Sequence, residues 1–122
     1  MDRIERARQR LIFRPGDSKA ESIRMLMGQH GGVNGLAVAG ASGLLALVYP
    51  EEFGTVDVMV TRVLQQLGIP DVKDVNPKKI KLHDAQIMIE IMKHKAIGLN
   101  QIFGTNKWTP RLVDRVLWVA GR

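Results

Sequence analysis

Cysteine is absent from the 122 residues, which excludes disulfides, thiolate catalysis and cysteine-held iron–sulfur clusters. Aromatic residues are scarce, with one tyrosine, two tryptophans and three phenylalanines, so few side chains are available to stack on a planar ligand. Long apolar runs are missing too. The uncharged stretch Gly31 to Pro50 is too rich in glycine and alanine for a membrane span. Met1-Asp2-Arg3 opens into charged residues rather than a secretory leader, and the expectation is a cytoplasmic protein without a membrane partner. No catalytic triad, Walker-type phosphate loop or metal-ligand cluster occurs, so neither a metal nor a cofactor is expected.

What is present reads as a single domain over residues 1–122. Hydrophobic residues make up 45% of the chain and charged residues 25%, a composition that buries one core. The formal charge of +6 favours an anionic partner. Neither an internal repeat nor an alternating strand pattern is visible, so the expected fold is all-α: a compact bundle of five or six helices around a helix-hairpin-helix.

Taken in order, Asp2 to Phe13 suggests a short helix whose Arg3, Arg6, Arg8 and Arg10 form either a solvated face or a phosphate-contacting arm. Ser18 and Glu21 read as a capping box for a helix carrying Ile23, Leu26 and Met27 and stopping at Gly28. His30 has no partner at metal-ligand spacing. Lys73, Lys78, Lys79 and Lys81 surround Asn76-Pro77 in a basic loop, either solvated surface or a phosphate contact. A long helix spans about His83 to Phe103, with Glu90 and His94 one turn apart. Thr109 caps the last helix and Pro110 opens it. There Val113, Val116, Leu117 and Ala120 are expected inside, and Arg111, Asp114 and Arg115 outside as an ion network. Phe53 is expected in the core. Trp108 and Trp118 are most simply core anchors.

The chain is organised around residues 31–67, with the C-terminal helices over 82–122. Gly31, Gly32 and Gly35 permit a sharp turn with positive φ. Ala37, Ala39, Gly40, Ala41, Ser42 and Gly43 then leave a helix face almost bare of side chains, open to close approach by another backbone. After the turn YPEEFG, Thr55-Val56-Asp57 delivers an acid to the start of the next helix. Asp57 is a natural N-cap there, and that structural role is compatible with a chemical one.

Gly35-Leu36-Ala37, Ala41-Ser42, Val56-Asp57, Val60-Thr61-Arg62-Val63 and Leu67-Gly68-Ile69 together resemble the hairpin and catalytic-aspartate region of the helix-hairpin-helix base-excision DNA glycosylases. The resemblance covers about a third of the chain and implies DNA as partner. It implies that Gly32, Val33, Asn34, Gly35 and Leu36 offer hairpin amides to a phosphate. Arg62, Lys78, Lys79 and Lys81 would add salt-sensitive affinity, and Tyr49 or Trp108, with Trp118 a further candidate, would wall the pocket of a flipped base. Asp57 then becomes the acid that stabilises the sugar cation and positions water. Ala37 replaces the second hairpin glycine unless the turn slides to Gly32-Val33-Asn34 with Asn34 left-handed. Ala39 stands where bifunctional members carry a Schiff-base lysine, which implies a monofunctional enzyme. Only residues 1–30 precede the hairpin, shorter than the family's leading helical part, and a homodimer would supply a missing wall. The alternatives are a non-catalytic helix-hairpin-helix DNA-binding module and a protein-interaction module.

Overall fold

The computed structural model describes Glu5 and residues 10–121. Five α-helices make up this part of the chain: α1 Lys19–Leu26, α2 Val38–Val48, α3 Val58–Gln66, α4 Leu82–Phe103 and α5 Pro110–Ala120. Short 3-10 turns lie at Gly28–His30 and Pro70–Val72. Among the described residues there is no strand, only an isolated bridge between Met27 and Val33, so the fold is all-α. Most of the helix expected over Asp2 to Phe13 lies outside the described residues; of the described ones, Glu5 and Arg10 are helical and Leu11 to Phe13 irregular.

Three helix starts are set by short polar side chains that accept an amide the helix leaves orphaned. Ser18 Oγ accepts from Glu21 at 3.2 Å, Asp57 Oδ1 from Val60 at 2.8 Å and Thr109 Oγ1 from Leu112 at 3.1 Å. Pro110 follows Thr109 at the first helical position, where the missing N–H costs nothing. The other half of the expected Ser18–Glu21 capping box does not form, because the Glu21 carboxylate turns to Arg24 instead.

Helix α4, 22 residues long, is the hub. Its Met88, Ile89 and Met92 are fully buried, with α1 and α5 packed against it. The small-residue helix α2 buries Ala41, Leu45 and Ala46. The bare face meets the run before α3: a Cβ on Gly43 would lie 3.4 Å from the Thr55 side chain at Oγ1, and the Val56 amide reaches Ser42 Oγ at 2.9 Å. Phe53 is sealed in the core, 5.0 Å from Phe13 ring to ring.

Helix α5 is rotated from the expected orientation. Val113 is buried, but Val116 is 49% exposed and Asp114 only 3%. The cause is a hydrogen bond: Asp114 Oδ2 accepts the Thr55 amide at 2.6 Å, an amide outside any helix or sheet that needs a partner when shielded from water. Burial pushes the Asp114 carboxyl above its ordinary pKa, against the opposing pull of the Thr55 amide and the Arg111 guanidinium. Trp118, one turn beyond Asp114 on the same helix face, is 43% exposed rather than a core anchor.

Candidate nucleic-acid interface

Residues 27–37 form a tight hairpin that satisfies most of its own backbone. Gly32 and Val33 donate to the carbonyls of Met27 and Leu26 at 3.0 and 2.9 Å, Gly28 to Leu36 at 2.9 Å, and Leu36 to Val33 at 3.1 Å. Gly32 sits hard against the end of α1, where a Cβ would stand 2.4 Å from the Leu26 carbonyl oxygen. Arg10 fastens the hairpin from outside, donating to the carbonyls of Met25 and His30 at 2.6 and 3.3 Å. It is therefore not a purely solvated residue.

This geometry corrects the sequence reading at two points. The turn does not slide onto a left-handed Asn34: Gly31 and Gly35 are left-handed, at φ 83° and 85°, and no described non-glycine residue has positive φ. Gly32, Val33 and Leu36 cannot offer amides to a phosphate without breaking the bonds that shape the hairpin. Asn34 and Gly35 lie at the exposed tip, where with Leu36 and Ala37 they line a hollow of about 340 Å³.

A second hollow, about 620 Å³, shares Met27, Gln29 and Ala37 with the first. Its other walls are the start of α2 (Val38, Ala39), the start of α3 (Asp57, Val58) and the loop Pro77–Leu82. Asp57, Lys78, Lys79 and Lys81 thus face one space, three lysines against one carboxylate. Asp57 is half-buried. One of its oxygens caps α3, and among the described residues nothing hydrogen-bonds the other. Helix α2 begins at Ala37 without a side-chain cap. Arg62 is exposed one helical turn beyond Val58, a spacing that shares a helix face.

Asp57 also lines a third hollow, about 410 Å³, with Thr55, Arg111, Asp114, Arg115 and Trp118. Arg111 Nη1 reaches Thr55 Oγ1 and Asp114 Oδ1, both at 3.3 Å. Two guanidinium groups here face two carboxylates, Asp57 and Asp114, so their formal charges cancel, whereas the lysine hollow carries a surplus of two positive charges (three minus one).

No family model, curated protein or solved structure matches the chain. Among the described residues no group of three His, Asp or Glu side chains is placed to hold a metal ion. No described helix is long and apolar enough to cross a membrane.

The aromatic residues are distributed differently from the sequence reading. Tyr49 is not a base-pocket wall: its hydroxyl accepts from the Phe13 amide at 3.1 Å and donates to the Leu11 carbonyl at 2.8 Å, and its ring packs edge-on against Phe13. Trp108 is pinned at its amide and carbonyl by Asn100, at 2.9 and 3.0 Å. It lines a separate hollow with Glu51 and Lys93, away from Asp57. Trp118 is the aromatic that shares a hollow with the acid. Glu90, one turn from His94, is bonded to Lys19 at 2.6 Å.

Sequence reasoning passed over Ser42 and Asp114. Ser42 Oγ accepts the Val56 amide at 2.9 Å, wholly inside the protein. A lone serine among alanines and glycines, and an aspartate one turn from an arginine, both have bland explanations in sequence. Nothing in the spacing points to an amide more than ten residues away.

Proposed function

We propose that the chain binds DNA along the three adjoining hollows and is a monofunctional DNA glycosylase. In this reading Asp57 serves hydrolysis of the N-glycosidic bond of a flipped nucleotide. The observation that carries it is that Asp57 lines both a cationic hollow and an electroneutral one bearing an exposed indole. A nucleotide has the same polarity, an anionic phosphate and a planar base with the sugar between them. Phosphates are drawn to Lys78, Lys79 and Lys81, the extruded base stacks on Trp118, and the sugar is left opposite Asp57.

The chemistry then needs little else. The C1′–N bond breaks with its electron pair going to the base, which takes up a proton. Water adds to C1′ and loses its proton to Asp57 or to solvent. A carboxylate facing the developing cation lowers that barrier by several kcal/mol in a site shielded from water. Position 39, where the resemblance would put a Schiff-base lysine, is alanine, which supports water as the nucleophile. The resemblance of residues 31–67 to helix-hairpin-helix glycosylases supports the same assignment. The hairpin's part is restricted to its tip at Asn34 and Gly35 and to the uncapped start of α2. With Trp118 as the aromatic wall, the reading requires no second copy of the chain.

The test is base release from duplexes carrying single deaminated, alkylated, oxidised or mismatched bases, with Asp57→Asn as the matched variant. The reading expects release by the wild type and none by Asp57→Asn, which still binds DNA. Salt-sensitive DNA binding with every base left in place would replace it by the non-catalytic DNA-binding module. Absence of binding would remove both.

A further inference from the structure

We infer that Asp114 and Ser42 are positioning residues for Asp57, fixing the backbone run that presents its carboxylate to the two hollows. The inference rests on the role of Asp57 proposed above, and its test separates the two.

The run Gly54 to Asp57 connects the core residue Phe53 to α3 and belongs to no helix or sheet. Its amides must find partners elsewhere. They find them on two different helices. Thr55 donates to Asp114 of α5 at 2.6 Å, and Val56 donates to Ser42 of α2 at 2.9 Å. The Ser42 hydroxyl proton is committed to the Ala39 carbonyl at 3.1 Å, which leaves its lone pairs for Val56. The next residue is Asp57, whose Oδ1 accepts from Val60. Two successive amides and then the acid itself are therefore each tied down, by α5, α2 and α3 in turn.

Both anchors are shielded from water, Ser42 completely and Asp114 almost so. Burying a carboxylate is costly, and burial does push Asp114 upward in pKa. The arrangement is stiff for that cost. Arg111 Nη1 bridges Asp114 and the Thr55 hydroxyl, while the Arg111 amide donates to Pro50 at 3.3 Å. Thr55 is thus held by backbone and side chain together. The consequence is leverage: a displacement of about 1 Å at a reacting group costs on the order of 100-fold in rate, and these bonds are what prevent one at Asp57.

The experiment compares Asp114→Ala, Asp114→Asn and Ser42→Ala with wild type in single-turnover base release, in DNA binding and in amide hydrogen exchange. Asp114→Ala is expected to lose on the order of 100-fold in rate with no loss of DNA affinity, which rises at low salt because a carboxylate leaves the hollow. Asp114→Asn, whose amide oxygen can still accept from Thr55, recovers most of that loss. In Asp114→Ala the Val56 and Val60 amides exchange faster, while those of Met88 and Ile89 in the core of α4 do not. Should Asp114→Ala fail to fold, Ser42→Ala is read for the same pattern. Rate and affinity falling in parallel would overturn the inference, as would a Val60 amide as protected in the variants as in wild type. If the wild type releases no base, the glycosylase reading fails by that result, and the exchange measurement alone decides whether Asp114 and Ser42 position Asp57.

Discussion

Lys19 and Glu90 join at 2.6 Å although 71 positions separate them in the chain. The lysine is 6% exposed, and it reaches Glu52 as well, at 3.5 Å. Glu52 in turn holds Lys93 at 2.7 Å. This network ties α1 to α4 and to the turn that leads into the Asp57 run. Removing Glu90 alone leaves Lys19 with Glu52, so Glu90→Gln is expected to cost no more than about 1 kcal/mol, as for a partly exposed pair. Replacing both acids strands a buried ammonium. The double variant Glu52→Gln/Glu90→Gln is expected to be less stable than the sum of the singles by about 1 kcal/mol or more. A urea-unfolding cycle measures this, and additivity would show that Lys19 reaches water.

Two carboxyls give the stability opposite responses to acid. Burial raises the Glu52 carboxyl, but the hydrogen bond and charge of Lys93 and the charge of Lys19 outweigh it and hold the group below its ordinary pKa. The stability it contributes is present above the unfolded-state value and lost as pH falls through the folded one. Asp114 lies above its ordinary value, chiefly through burial. Its contribution is complete below the unfolded-state value and lost as pH rises through the folded one. The advantage of wild type over Glu52→Gln is therefore expected to shrink on acidification from about pH 7 to about pH 4, while wild type gains on Asp114→Asn over the same range. Urea midpoints at several pH values check both slopes.

The hairpin glycines separate into a packing residue and a turn residue. Gly32→Ala drives a methyl into the Leu26 carbonyl at 2.4 Å and is expected to cost about 1–3 kcal/mol or to prevent folding. At Gly35 a Cβ meets nothing within 4 Å, but φ is +85°, so Gly35→Ala is expected to cost only about 1–2 kcal/mol of backbone strain. Gly35→Ala is consequently the variant in which DNA affinity can be read. A stable Gly32→Ala would mean that α1 and the hairpin are not in this contact.

How far such contacts were legible beforehand depended on their range. Helix starts depend on residues three apart, and Ser18, Asp57 and Thr109 each bind the amide that spacing predicts. The all-α fold followed from equally local patterns. The rotation of α5 did not, because it is set by the Thr55 amide, 59 residues before Asp114. Counting Val116 as inside and Asp114 as outside followed hydrophobicity alone. Tyr49 was misplaced for a similar reason, since the groups that engage its hydroxyl are 36 and 38 residues away. The sharing of one hollow by Asp57 and the lysine loop was suggested by resemblance and composition, and only coordinates bring them together.

Trp118 is expected to act on bases more than on stability. It is 43% exposed, so Trp118→Phe should lower the unfolding midpoint little and Trp118→Ala somewhat more. Loss of a stacking platform costs about 1–3 kcal/mol per base. Trp118→Ala should therefore weaken binding to single-stranded or mismatched DNA by that amount, with little effect on a fully paired duplex. Quenching of Trp118 fluorescence, read in a Trp108→Phe background, reports the contact directly. Equal quenching by paired and unpaired DNA would argue against a base in that hollow.

The lysine loop makes the most direct electrostatic prediction. Lys78, Lys79 and Lys81 are all exposed and line the hollow that holds Asp57, so neutralising them should not disturb the fold. A lysine that contacts a phosphate contributes about one unit to the slope of log affinity against log salt. Lys78→Gln, Lys79→Gln and Lys81→Gln are each expected to reduce that slope by up to about one unit, uniformly across DNA sequences. Lys107→Gln, at an exposed position beyond α4, is the control and should leave it unchanged. Asp57→Asn removes the one negative charge among these lysines, so its affinity should rise at low salt and converge on wild type as salt screens the charge. Identical slopes for the lysine variants and the control would place the DNA, if it binds, on another face of the protein.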